Sequence, residues 1–278
     1  MPIVKPEELL RLKKTGESFL LADARAGKDA QQDYILCHLE GAVFADAERN
    51  LAEKTNDAST GGRHPLPAVA KFCEALKHLG ISANTRVIIY DDKNGANAAA
   101  RFWWMLRAVG HTQVRVLDGG YDAAIKAGFP TSSGEEKHPL PGNYAAEKWL
   151  LPLADIHEVE EAAKNNRRMV IDVRDAYRYN GESEPIDLVA GHIPGAVNIP
   201  FSENLNEQGF FLQPEELKKK YTEATGEKNA AEVIVHCGSG ITACHTLLAM
   251  DYAGLEIPKL YVGSWSEWSR TGRAIGKK

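Results

Sequence analysis

The chain has only four cysteines, Cys37, Cys73, Cys237 and Cys244, and they do not fall into close pairs. That argues against a disulfide-built scaffold and fits a reducing cytoplasm, where a free thiol serves either packing or chemistry. Long hydrophobic runs are missing as well. No stretch approaches the roughly 20 apolar residues of a membrane-spanning helix, so no membrane partner is expected. The opening Met1-Pro2-Ile3-Val4-Lys5-Pro6-Glu7 lacks the basic-then-apolar layout of a secretory signal. Positive charge is in deficit, with 33 Lys and Arg against 38 Asp and Glu. The electrostatic footprint of a nucleic-acid binder is therefore absent. What is present, 44% apolar and 26% charged residues over 278 positions, suits a globular protein with room for two cores.

The second half repeats the first. Leu21-Ala22-Asp23-Ala24-Arg25 aligns with Ile171-Asp172-Val173-Arg174, and His38-Leu39-Glu40-Gly41-Ala42-Val43 with His192-Ile193-Pro194-Gly195-Ala196-Val197. Arg86 to Asp91 aligns with Glu232 to Cys237, and Leu117 to Tyr121 with Tyr261 to Trp265. Landmarks in the same order at such a lag indicate duplication of a whole domain rather than a solenoid. The expected organisation is a domain over 1–130, a Pro-, Gly- and Ser-containing linker over 131–150, and a second domain over 151–278. Within each half, short β-branched runs such as Val87-Ile88-Ile89-Tyr90 and Val233-Ile234-Val235 alternate with helical patterns. The expected fold is α/β, with a mainly parallel sheet covered by helices in each domain.

Ligands of open α/β sheets bind beyond the carboxyl ends of the strands. In the second half that position is Cys237, followed by Gly238-Ser239-Gly240-Ile241-Thr242-Ala243; in the first half it is Asp91. Two glycines around Ser239 let the loop curl so that N–H groups face the sulfur. A helix starting near Ile241 adds the positive end of its dipole. Both favour a thiolate, or a persulfide anion, on Cys237. Asp91 offers no sulfur, so the first domain is expected to be non-catalytic. Cys37, Cys73 and Cys244 read as packing, as do Trp103, Trp104, Trp265 and Trp268. Two rival chemistries fail on particular residues. A cysteine phosphatase loop needs an arginine six positions after the cysteine, and Ala243 stands there. A zinc site from His236, Cys237, Cys244 and His245 lacks the close paired spacing of zinc ligands.

The two His-x-x-Gly-Ala-Val segments, the Asp-x-Arg strands and the cysteine loop together resemble the rhodanese-like family, and specifically its tandem-domain sulfurtransferases. The loop Cys-Gly-Ser-Gly-Ile-Thr-Ala is similar to the Cys-Gly-Ser-Gly-Val-Thr-Ala of the 3-mercaptopyruvate sulfurtransferase branch. Thiosulfate-specific relatives carry Arg-Lys where this chain has Gly238-Ser239. A dianionic donor gains from two such cations, whereas a keto acid with one carboxylate does not need them.

The resemblance implies a catalytic group of Cys237, Ser239 and His64, with an acid (Asp46 or Glu48) completing a relay. It implies substrate binding by Arg178, through its guanidinium fork, and by the loop residues Gly238, Gly240, Ile241 and Thr242. Arg63 supplies further positive charge. Ile186 stands where many of these enzymes have a second arginine, which makes the identity of the donor the open point. The implied reaction passes a sulfane sulfur from 3-mercaptopyruvate, through a Cys237 persulfide, to cyanide or a thiol such as thioredoxin, with no metal or organic cofactor. The alternatives are a thiosulfate sulfurtransferase with the same intermediate, and a non-catalytic binding module.

Overall fold

The computed structural model describes residues 1–136, 140–165 and 167–278. Residues 137–139 of the expected linker lie outside the described residues. The chain divides into two compact units: Met1–Ala52, Pro67–Leu150 and Glu207–Phe210 form the first, and Glu53–Leu66, Leu151–Asn206 and Phe211–Lys278 the second. Arg63 and His64, numbered within the first repeat, thus belong to the second unit.

Each unit is built on a five-stranded parallel sheet with the same strand order. In the first, the order is Ile3–Val4, Val114–Leu117, Val87–Tyr90, Leu20–Asp23 and Ala42–Phe44. In the second it is Leu153–Ala154, Lys259–Tyr261, Val233–His236, Met169–Asp172 and Val197–Asn198. The central strands Val87–Tyr90 and Val233–His236 are buried at every position. That is why they read as unbroken apolar runs rather than alternating ones: parallel sheets are covered on both faces. The covering helix Ala99–Ala108 buries Phe102, Trp103, Trp104 and Leu106, and Ala243–Tyr252 buries Leu247, Leu248 and Met250. Where only one face packs, the helix is amphipathic. Pro6–Lys14 buries Leu9 and Leu12, with acidic Glu7 and Glu8 in its first turn and basic residues in its last, complementing the helix dipole.

The duplication extends to side-chain geometry. Arg25 grips the Asp23 carboxylate, Nη2 to Oδ2 at 2.7 Å, and donates to Cys37 O at 2.8 Å. Arg174 grips Asp172 and donates to Gly191 O at 2.7 Å. Those two aspartates hold loops at strand ends, as their place beside an arginine suggests. His38 Nδ1 lies 2.7 Å from Tyr34 O and stacks on the Tyr34 ring; His192 Nδ1 lies 2.7 Å from Tyr179 O and stacks on Tyr179. This tyrosine pairing is invisible in the sequence, because four residues separate Tyr34 from His38 but thirteen separate Tyr179 from His192.

Candidate active site

Cys237 leaves the carboxyl end of the middle strand of the second sheet and is 1% exposed. Its Sγ accepts the Gly240 N–H at 3.2 Å. Gly240 has φ +76°, a backbone state that L side chains rarely tolerate, and this turn brings its N–H back onto the sulfur. The Gly240 carbonyl in turn accepts from Cys244 Sγ at 3.4 Å. The back of the loop is pinned to the helix Ser264–Trp268: Cys237 N–H donates to Ser264 Oγ, Trp265 N–H to Cys237 O and Ser266 N–H to Gly238 O. The helix after the loop begins at Ala243 rather than near Ile241; Ile241 and Thr242 form the half-buried rim of the loop.

A strap formed by residues 53–66 runs beside this loop. His64 Nδ1 lies 2.7 Å from Ser239 Oγ, so these two members of the implied group meet within one unit. The strap is fastened by Gly61 N–H to Glu267 Oε1 at 2.8 Å and Arg63 N–H to Ser266 Oγ at 3.0 Å. Gly62 has φ +77°, and a Cβ there would run into the Gly263 carbonyl oxygen and lie 2.7 Å from Ser266 Oγ. Only glycine passes at that point. Asp46 accepts the Glu48 and Arg49 N–H groups, capping the short helix Ala47–Asn50 of the first unit.

Arg178 sits at the centre of a buried ionic chain. Its Nε and Nη2 engage Glu184, Nη2 to Oε1 at 2.7 Å, and its Nη2 lies 3.5 Å from Asp187 Oδ2. Glu184 also accepts from Arg174 at 3.1 Å. Asp187, whose side chain is fully buried, further holds Arg63 through Nε at 3.1 Å and Arg270 through Nη1 at 3.1 Å. A Cβ built on Gly238 would lie 3.2 Å from Arg63 Nη2, 3.5 Å from Arg178 Nη2 and 3.7 Å from Asp187 Oδ2, the carboxylate oxygen that sits between the two guanidiniums. Two guanidiniums therefore converge on the spot that a side chain at position 238 would occupy. Asp187 and Arg270 went unread in the sequence. Their partners are distant in the chain, and no spacing rule links a loop aspartate to arginines more than 80 residues away. Ile186 points outward, 55% exposed.

The charges are set by this enclosure. Burial would raise the Asp172 carboxyl, but His236, protonated in the acid range where that carboxyl titrates, and Arg174 hold it below the usual carboxylate range. Glu184 is likewise held down by Arg178 against the effect of burial. Burial would weaken Arg174, yet Asp172, Glu184 and the Cys237 sulfur keep its guanidinium charged. Burial pushes His236 below its ordinary value, so the residue before Cys237 is a neutral imidazole near pH 7.

In the first unit the equivalent loop holds a carboxyl, which burial pushes above its ordinary range against the backbone bonds it accepts. The fully buried Asp91 carboxylate accepts four backbone N–H groups, from Lys93, Gly95, Asn97 and Ala99, at 2.8 to 3.0 Å. The same strand-end cradle that presents a sulfur in one unit is filled by its own carboxylate in the other.

Two α/β units of the same sheet topology, one with an enclosed thiol at a strand end beside paired guanidiniums, define the class: a duplicated domain with one cysteine loop. The rhodanese-like domain model matches residues 5–127 and again 155–271, and the chain belongs to the rhodanese-like family. It is 39% identical over 251 residues to a probable 3-mercaptopyruvate sulfurtransferase of Pseudomonas aeruginosa, covering 90% of this chain and 86% of that protein. It is 35% identical over 271 residues to a thiosulfate sulfurtransferase of Rattus norvegicus, covering 95% and 89%. A solved 3-mercaptopyruvate sulfurtransferase from Leishmania major superposes with a TM-score of 0.83 at 28% identity, covering 96% of this chain and 74% of that one. No helix among the described residues is long and apolar enough to cross a membrane.

Proposed function

We propose that this protein transfers a sulfane sulfur from 3-mercaptopyruvate to a thiol or cyanide through a persulfide on Cys237. The observation that carries the reading is the enclosed Cys237 sulfur with the Gly240 N–H upon it, beside a neutral Gly238-Ser239 loop and two guanidiniums. The Cys237 thiolate attacks the donor's thiol sulfur. An S–S bond forms, the C–S bond breaks, and its electron pair leaves as the enolate of pyruvate, which takes a proton at carbon. The acceptor then attacks the outer sulfur and returns Cys237 as thiolate, giving thiocyanate from cyanide or a persulfide from a thiol. Ser239, hydrogen-bonded to His64, polarises the donor's ketone, and the imidazole supplies the proton. Arg178 and the N–H groups of Gly238, Gly240, Ile241 and Thr242 hold the anionic donor and the outer sulfur. Each step is thiol chemistry, so the scheme invokes no cofactor.

In this reading 151–278 with the 53–66 strap forms the catalytic domain, and 1–130, with Asp91 at the cysteine position, does not turn over. The protein works in the cytoplasm, where a reduced dithiol such as thioredoxin serves as acceptor. A second donor, thiosulfate, is favoured by the convergence of Arg63 and Arg178 on Gly238. Cys237→Ser tests the scheme: transfer should vanish while the circular dichroism spectrum is kept, and wild-type turnover in the variant would end it.

A further inference from the structure

We propose that Arg63 is a donor-binding residue, which together with Arg178 takes the oxyanion of the sulfur donor over Gly238. It would fill the role left open by Ile186. This deepens the sulfurtransferase reading and rests on it for the identity of the donor; the anion site itself stands on the geometry alone.

Both ends of Arg63 are fixed. Its backbone N–H is held by Ser266 Oγ at 3.0 Å, and its guanidinium by Asp187 through Nε and Nη2. Arg178 is held the same way by Glu184. A guanidinium has five N–H donors in a rigid fork, and here two forks are pre-set by carboxylates behind them, so little ordering remains for an incoming anion to induce. The two Nη2 atoms meet where residue 238 has no side chain, one position from Cys237, nearer to that point than the Asp187 Oδ2 that orients them, at 3.2 and 3.5 Å against 3.7 Å. Arg63, Arg174, Arg178 and Arg270 face Asp172, Glu184 and Asp187, so the surplus over the carboxylates is one positive charge, the one that faces the Cys237 thiolate. The Arg63 side chain keeps 27% of its surface open, so an anion can reach it from solvent. A carboxylate and the oxygen end of thiosulfate share the chemistry that this pair recognises.

Alkylation of Cys237 by iodoacetate and by its neutral isostere iodoacetamide tests the site without any sulfur transfer. The wild-type protein should show an iodoacetate-to-iodoacetamide rate ratio that falls about tenfold in Arg63→Gln, the size of one charge-assisted contact, with the iodoacetamide rate unchanged. Arg63→Lys, which keeps the charge, should retain most of the ratio. An unchanged ratio in Arg63→Gln overturns the proposal, as does an equal fall in both rates, which marks a purely structural role. In steady state Arg63→Gln should raise KM for 3-mercaptopyruvate, and more for the dianion thiosulfate, with kcat little altered. If the alkylation ratio responds but the wild type transfers no sulfur, the sulfurtransferase reading has failed and the anion site has not.

Discussion

Asp91→Asn is the substitution whose cost the geometry specifies most fully. Asp91 Oδ1 accepts from Lys93 and Gly95, and Oδ2 from Asn97 and Ala99. An amide keeps one oxygen and places an NH2 against the other two N–H groups. Each oxygen serves one buried donor, Gly95 or Ala99, and one nearer the surface, Lys93 or Asn97, so one buried N–H loses its acceptor and the first unit should lose about 1–3 kcal/mol. Asp91→Ala orphans all four and should cost at least as much. One of those four is Ala99 N–H, the first residue of the helix Ala99–Ala108, so the damage should spread into that helix. The assay is equilibrium urea unfolding followed by fluorescence, because Trp103 and Trp104 on this helix are fully buried and report the first unit. Two units can melt in separate steps, and Trp265 and Trp268 report the second, so the comparison is made with both replaced by phenylalanine. A loss below about 0.5 kcal/mol in Asp91→Asn would refute the idea that this loop is an anion cradle satisfied by its own carboxylate.

Other outcomes follow from the same structure. Ser239→Ala and His64→Gln should each lower kcat about 100-fold, the low end of general acid–base effects, with KM for the donor changed far less; unchanged kcat in both would remove the pair from the chemistry. Gly62→Ala should loosen the 53–66 strap, seen as faster limited proteolysis there, because its Cβ would strike the Gly263 carbonyl; a strap as resistant as wild type would contradict this. Acid should weaken the fold by way of the second unit. Asp172, Glu184 and His236 all titrate below their ordinary values, so the unfolded chain binds protons first as pH falls. Stability contributed by His236 is present above about pH 6.5 and declines below it, and that of the two carboxylates follows under about pH 4. A urea midpoint that stays constant or rises from pH 7 to 3.5 would contradict this.

The sheets were legible because their central strands are buried on both faces and carry unbroken β-branched runs, and because four landmarks recur in order. Cys237 was legible because glycines, a strand end and a thiol coincide within a few residues. What was not legible is what long-range folding assembles. His64 and Arg63 are numbered in the first repeat yet belong to the second unit, a placement that depends on Gly62 passing close to Gly263 rather than on any local pattern. Arg178 was read as a substrate-binding residue, and its carboxylate partners within the chain were not read. The structure ties it to Glu184 six residues on and sets it near Asp187, and a loop of irregular backbone has no periodicity from which to read such a pairing. The helix expected to start near Ile241 starts at Ala243, with Thr242 as its N-cap.

If Cys237 carries the transferred sulfur, mass spectrometry of the intact protein and its peptides will see it there. After incubation with 3-mercaptopyruvate, and separately with thiosulfate, the Cys237 peptide should gain one sulfur atom that cyanide or a thiol removes. Loading should be faster from 3-mercaptopyruvate. Faster loading from thiosulfate would keep the intermediate and change the donor, whereas no added sulfur on Cys237 from either donor would contradict the account.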